Sequence, residues 1–497
     1  MIPSNYFNRR SAGVLLHPTS LPGRWSNGDL GAEAYRFVDF LKASGQTVWQ
    51  MLPLGPTHFH GSPYQSLSAH AGNHMLISLE GLVEKGWLDA GDVHAAFASS
   101  NQNNKQLRYQ LLEAAYSGFC EKAGHRDQVA LQDFVVAESN WLEDYALYQA
   151  LRKENEQRDW SQWSEPLRDR NPHALKVAKL RLLKLINQIY FEQFVVFRQW
   201  TALKSYANSR GVSMFGDMPI FVDYDSSDVW VNRHIFELDD KGKPYVVTGV
   251  PPDYFSTTGQ RWGNPQYRWQ VMEEEGFHWW QDRIRTQLKY FDLIRIDHFR
   301  GFEAYWEIPA EHTDATGGHW VKAPGDKLFT SLQMTFGELP LVAEDLGMIT
   351  PEVMALRDKY RLPGMKILQF AFDGGPTNPY LPHNHDPHTV VYTGTHDNDT
   401  TLGWYTSLPE GTRRYVNDYL GTLNETMPWP LIRCALASVA RMAIIPMQDI
   451  LGLGSEDRMN IPGTTEGNWG WRFKWEQMPA GIIERLRHYT QLYGRAG

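Results

Sequence analysis

The chain has 497 residues, 42% of them hydrophobic and 13% aromatic, which is enough for a large core and allows about three domains or one long barrel. A net charge of −9 and a pI near 6.1, without a Lys/Arg-rich stripe or tail, weigh against a nucleic-acid partner. No apolar run approaches the roughly 18 residues of a spanning helix, and the run at 14–16 is too short for a secretory core, so a cytoplasmic protein is expected.

Eight short apolar runs recur in chain order: "GVLLHPTS" (13–20), "VWQMLPLGP" (48–56), "SMFGDMPIFV" (213–222), "FDLIRIDHF" (291–299), "PLVAEDLG" (340–347), "GMKILQF" (364–370), "TVVYTGTHDND" (389–399) and "MAIIPMQDILG" (442–452). Most are continuous rather than alternating, as strands buried on both faces of a parallel sheet should be. Helix-like stretches separate them, such as 31–44 and 351–359. The expected fold is α/β, a (β/α)8 TIM barrel whose site lies at the C-terminal strand ends. The charges of these runs sit there: His17, Asp217, Asp297, Glu344, Asp397 and Asp449.

Two interruptions organise the rest. Residues 77–205 show helical periodicity and no convincing strand, with one long pattern over 174–208, and are expected to form a helical inserted subdomain. The barrel would comprise 1–76 and 206–497, with loop insertions at 224–290 and 301–339. Long Gly-, Pro- and aromatic-rich connections in a barrel are more often site-building than idle. The two cysteines, Cys120 and Cys434, form neither a disulfide framework nor a zinc motif. A bridge between them stays open on sequence; a reduced compartment is the simpler reading. "DYDSSD" (223–228) lacks the glycine and distant glutamate of a calcium loop, so neither a metal nor a cofactor is expected.

Three acids, Asp297, Glu344 and Asp397, end the fourth, fifth and seventh runs. Paired carboxylates at a barrel mouth suit glycoside chemistry, where one attacks the anomeric carbon and another protonates the leaving oxygen. Their pKa values must then be pushed apart. Arg295, two residues before Asp297, points to the same side of an extended chain and favours an ionised nucleophile. Asp345 beside Glu344, with partial burial, favours a protonated acid. A strand-end aspartate can equally cap the next helix, and an Arg–Asp pair can merely tie a rim.

The chain resembles the amylomaltase, or disproportionating enzyme, family of 4-α-glucanotransferases, glycoside hydrolase family 77 of the α-amylase clan. The likeness covers nearly the whole chain through "HPTSLPG" (17–23), "SPYQSLSAHAGN" (62–73), "GDMPIFVDYDSSDVW" (216–230) and "GVPPDYFSTTGQRWGNPQYRW" (249–269), and then "RIDHFRGFEAYWEIPA" (295–310), "VAEDLG" (342–347), "GTHDNDTTLGWY" (394–405), "QDILGLGSEDRMNIPGT" (448–464) and "NWGWR" (468–472). The resemblance implies Asp297 as nucleophile, Glu344 as acid/base and Asp397 as the carboxylate that steadies the transition state. It implies sugar contacts from Tyr64, Asp217, Arg295, His298, Asp345, His396 and Asn468, and a flexible cover loop around 249–269 over the acceptor side, with Gln260 and Trp262 near the sugars. The implied partners are α-1,4-glucans and maltooligosaccharides as donor, with glucose or a maltooligosaccharide as acceptor. An α-amylase-like hydrolase is the alternative reading of the same carboxylates. One departure is visible: the family's usual "FAGNP" reads "HAGNH" here, with His70 and His74.

Overall fold

The computed structural model describes residues 6–99, 105–252, 256–421 and 425–496. The eight apolar runs are eight parallel strands: β1 (Ser11–Leu15), β2 (Val48–Gln50), β3 (Ser213–Pro219), β4 (Leu293–Asp297), β5 (Leu341–Ala343), β6 (Gly364–Ile367), β7 (Thr389–Tyr392) and β8 (Met442–Pro446). Their order is β6-β7-β8-β1-β2-β3-β4-β5. The open seam between β5 and β6 is bridged by Ala343 N–H, which donates to the Pro363 carbonyl at 2.8 Å. This is the (β/α)8 barrel.

Alternation along each strand sorts the core. Leu15, Val48, Phe215, Leu293, Val342, Met365, Ile367, Val390, Tyr392, Met442 and Ile444 pack together inside the barrel. Ala12, Val14, Ile294, Ile296, Leu341, Ala343, Val391, Ala443 and Ile445 belong to the outer core under the helices. Both faces are therefore apolar, which explains the continuous runs.

Helices Ala32–Ala43, Leu183–Ser209, His278–Tyr290, Gly325–Phe336 and Pro351–Lys359 follow β1 to β5 in turn. The β6–β7 connection departs from the expected unit. It holds only short 3-10 turns at Leu368–Phe370 and Pro382–Asn384. Its prolines, Pro376, Pro379, Pro382 and Pro387, lack the amide donor a helix needs, and Gly374 and Gly375 disfavour a helix. Between β2 and β3 the described residues form helices, the longest being Lys105–Lys122, Ser139–Glu154 and Leu183–Ser209. The pattern over 174–208 is two helices, Pro172–Arg181 and Leu183–Ser209, divided at Leu182 (φ −99°, ψ 11°).

The connections at 224–290 and 301–339 carry a second sheet. Four antiparallel strands lie in the order Gln260–Pro265, Val246–Val250, Ala304–Pro309, His319–Lys322, around a small core of Val247, Ile308 and Ala315. "DYDSSD" fastens the helical region to the barrel. Asp225 accepts from Tyr148 Oη at 2.7 Å, Arg152 Nε at 3.2 Å and Trp160 N–H at 3.2 Å, while Asp228 holds the loop after β2 by accepting from Ala69 N–H at 2.8 Å. Among the described residues no group of three or more His, Cys, Asp or Glu is arranged to hold a metal ion, and no helix is long and apolar enough to cross a membrane.

Candidate active site

Strand register assembles the centre of the barrel mouth. In the β3–β4 pairing Asp217 lies opposite Arg295 and Pro219 opposite Asp297. In the β4–β5 pairing Ile296 lies opposite Ala343, so Asp297 and Glu344 are the next residues on adjacent strands. Arg295 Nη1 reaches both oxygens of Asp217 at 2.8 and 2.7 Å, and its Nη2 stands 2.8 Å from Asp297 Oδ1. The guanidinium is thus shared between two carboxylates. Burial opposes its charge, but Asp217 and Asp297 hold its pKa well above the ordinary value. Asp217 also accepts from Tyr64 Oη at 2.7 Å.

Glu344 lies in a different electrostatic setting. Burial pushes its carboxyl up to about 8; Arg295 opposes the rise, and the charges of Asp297 and Asp345 add to it. One oxygen, Oε2, accepts the backbone N–H of His298 at 2.7 Å. His298 itself adopts a left-handed conformation, φ 54°, uncommon for a residue with a Cβ and concentrated at functional turns. Burial also pushes the His298 imidazole down to about 4, and its Nε2 is buried without a protein partner.

Asp397 completes the acid set from the loop after β7. Desolvation opposes its charge, yet His396, Asn460 and Arg295 hold its pKa well below the usual carboxylate range. Asn460 Nδ2 donates to Oδ1 at 2.6 Å, and His396 Nε2 stands 3.3 Å from Oδ2. The His396 ring stacks on Tyr64 with centroids 5.2 Å apart. Trp469 leans on both rings at 5.9 and 6.1 Å. An open cleft beside Tyr64 and Asp217 continues between β3 and the 53–72 segment.

The remaining expected residues sit around this centre. Trp262 stands edge-on to His298 at 4.9 Å and donates through Nε1 to Gln260 Oε1 at 3.1 Å. Residues 253–255 of the expected cover loop lie outside the described residues. Asn468 spends its amide on its own loop: Oδ1 accepts Ile461 N–H at 2.9 Å, and Nδ2 donates to the Thr464 carbonyl at 3.0 Å. Asp345 is set back at the β5–β6 seam, where Met365 N–H donates to it at 2.7 Å. Asp449, the strand-end acid of β8, binds Thr393 and Thr401 and is buried away from the others. His70 is turned away too: Nδ1 is 2.8 Å from Thr286 Oγ1 and the ring stacks on Trp141, so the "HAGNH" variation ties the Tyr64 segment to neighbouring helices.

Sequence reasoning missed Asn460 and Arg458, whose Nη2 donates to the Asp397 carbonyl at 3.0 Å. Neither residue type carries a chemical signature alone. Both lie in "SEDRMNIPGT", whose resemblance to the family was the available signal.

One carboxylate beside a fixed cation and one carboxyl held protonated are what cleavage or transfer of a glycosidic bond requires, and a parallel barrel builds its chemistry at this end. The molecule is therefore of the class of barrel enzymes that act on glycosides. Comparison with known proteins narrows this. The sequence profile of the 4-alpha-glucanotransferases matches residues 16–478. A 4-alpha-glucanotransferase of Thermus thermophilus is 52% identical over 93% of this chain and 94% of its own, and one from a Synechocystis species is 48% identical over 98% of both. An amylomaltase from Streptococcus agalactiae, solved in complex with acarbose, superposes with a TM-score of 0.95 at 37% identity, covering 98% of this chain and 100% of that one. The chain belongs to the 4-alpha-glucanotransferase family, glycoside hydrolase family 77.

Proposed function

We propose that the protein transfers a segment of an α-1,4-glucan to the 4-hydroxyl of glucose or a maltooligosaccharide through a covalent glycosyl-enzyme. In the first step an Asp297 oxygen attacks the anomeric carbon. The bond to the leaving glycosidic oxygen breaks, and that oxygen takes the proton of Glu344. In the second step the acceptor 4-hydroxyl gives its proton to the Glu344 carboxylate and attacks the same carbon, and the bond to Asp297 breaks. Two inversions retain the α configuration.

The observation that carries this reading is the split environment: Arg295 2.8 Å from Asp297, and Glu344 raised to about 8. Asp397, held anionic, would stabilise positive charge developing at the anomeric carbon. Tyr64 and His396 offer a stacked platform for the donor sugar, and Asp217 and Arg295 its hydroxyl partners. His298, Gln260 and Trp262 would line the acceptor side, with Asn468 fixing the loop that carries Trp469. Asp345 retains lone pairs beyond its two partners for a sugar hydroxyl. A cover over 249–269 would favour a sugar over water as the second nucleophile.

The helical region 77–205 is proposed as an inserted subdomain, and a cytoplasmic location fits the unbridged Cys120 and Cys434. Incubation with maltotriose tests the activity. Transfer gives glucose plus longer oligomers at a constant count of reducing ends. A rising count without longer products would identify a hydrolase and overturn the proposal.

A further inference from the structure

Glu344 sits where the barrel wall has no continuous ladder. Its own backbone is tied to β4 and the turn after it: Glu344 N–H donates to the Ile296 carbonyl at 3.0 Å, and Phe299 N–H to the Glu344 carbonyl at 3.2 Å. Toward β6 the backbone bonding stops at Ala343 N–H. There a side chain takes over. Asp345 Oδ1 accepts Met365 N–H at 2.7 Å, and Oδ2 is paired with Arg357 from the outer helix Pro351–Lys359. Both carboxylate oxygens are thereby fixed by charge-assisted bonds. Gly364 leaves the space that this clasp occupies: a Cβ there would lie 2.4 Å from Asp345 Oδ2 and 2.9 Å from Arg357 Nη1.

We propose that Asp345 and Arg357 are positioning residues for Glu344, closing the β5–β6 seam with a side chain in place of a backbone acceptor and so holding the acid carboxyl at the glycosidic oxygen. The inference rests on the transferase reading above. Glu344 N–H and C=O anchor one edge of its peptide, and the neighbouring carboxylate anchors the other. Losing either member of the clasp frees that edge, and a misplaced acid costs rate far more than binding.

Kinetics on two substrates test this. Maltotriose needs its leaving oxygen protonated; α-maltotriosyl fluoride releases fluoride without that help. Arg357→Ala should lower kcat on maltotriose about tenfold or more, with KM within about twofold. First-turnover fluoride release should fall no more than about twofold. Arg357→Lys, which keeps the charge, should recover part of the maltotriose loss. If Arg357→Ala does not fold, Arg357→Lys decides alone by showing a larger defect on maltotriose than on the fluoride. Equal losses on both substrates, or no loss on maltotriose, would overturn the proposal. A rise confined to KM would also overturn it, leaving Asp345 as a sugar contact only. A wild-type protein that does not disproportionate maltotriose would instead sink the transferase reading and leave the clasp as architecture.

Discussion

In the proposed mechanism Asp297, Arg295 and Glu344 divide the work by charge, and each makes a separate demand. Asp297→Asn keeps the shape but cannot attack, so turnover of maltotriose should fall by at least about 10³-fold while the circular dichroism melt stays cooperative. Arg295→Ala removes the cation shared by Asp217 and Asp297 and leaves a buried carboxylate without its partner. Activity should drop about 10²-fold or more, and a rate within threefold of wild type would show that the arginine only ties the rim. Glu344 predicts the pH response. Its carboxyl is raised from 4.5 to about 8, so it carries the required proton below that pH. The glycosylation rate should hold up to about pH 8 and decline above it; a decline centred below pH 6 would contradict the assignment. The same shift costs stability. The folded state keeps a proton that the unfolded chain releases near pH 4.5, so this contribution is present below pH 4.5 and is lost as pH rises toward 8. Glu344→Gln should therefore melt higher than wild type, with a gap that widens from pH 5 to pH 8 in calorimetry. A gap independent of pH would contradict it.

At the scale of elements, β4 shows how wall and site share one strand. Leu293 faces the barrel interior, two residues before Arg295. Leu293→Ala should cost about 2–5 kcal/mol in guanidinium unfolding. The junction between helices and barrel rests on Asp225, and Asp225→Ala would leave Arg152, Tyr148 and the Trp160 amide without that acceptor. A loss of about 3–5 kcal/mol is expected, with faster proteolysis in the 139–168 region; an unchanged digestion pattern would show that the junction holds without it. The eight barrel strands were legible because burial on both faces makes each a short unbroken apolar run. The antiparallel sheet was not, because strands such as Gln260–Pro265 are short, largely exposed and carry no apolar alternation. The division at Leu182 was hidden for another reason: apolar spacing continues across it, and only the backbone angles change.

For the whole molecule, the barrel brings residues 64, 217, 297, 344 and 397 to one end, far apart in sequence but ordered by strand. Asp297, Glu344 and Asp397 could be read because each closes an apolar run. The pairing of Asp217 with Arg295 could not, because it depends on β3–β4 register, and Asn460 reaches Asp397 from a loop 63 residues away. The family resemblance supplied the residue roles that periodicity alone leaves open. The most direct measurement of the proposed double displacement is trapping of its intermediate. Glu344→Gln, incubated with α-maltotriosyl fluoride, should accumulate a glycosyl-enzyme, because fluoride leaves unaided while the acceptor lacks a base. Peptide mapping by mass spectrometry should then place the maltotriosyl adduct on Asp297. Fluoride release with no adduct, or an adduct on another residue, would contradict Asp297 as the nucleophile.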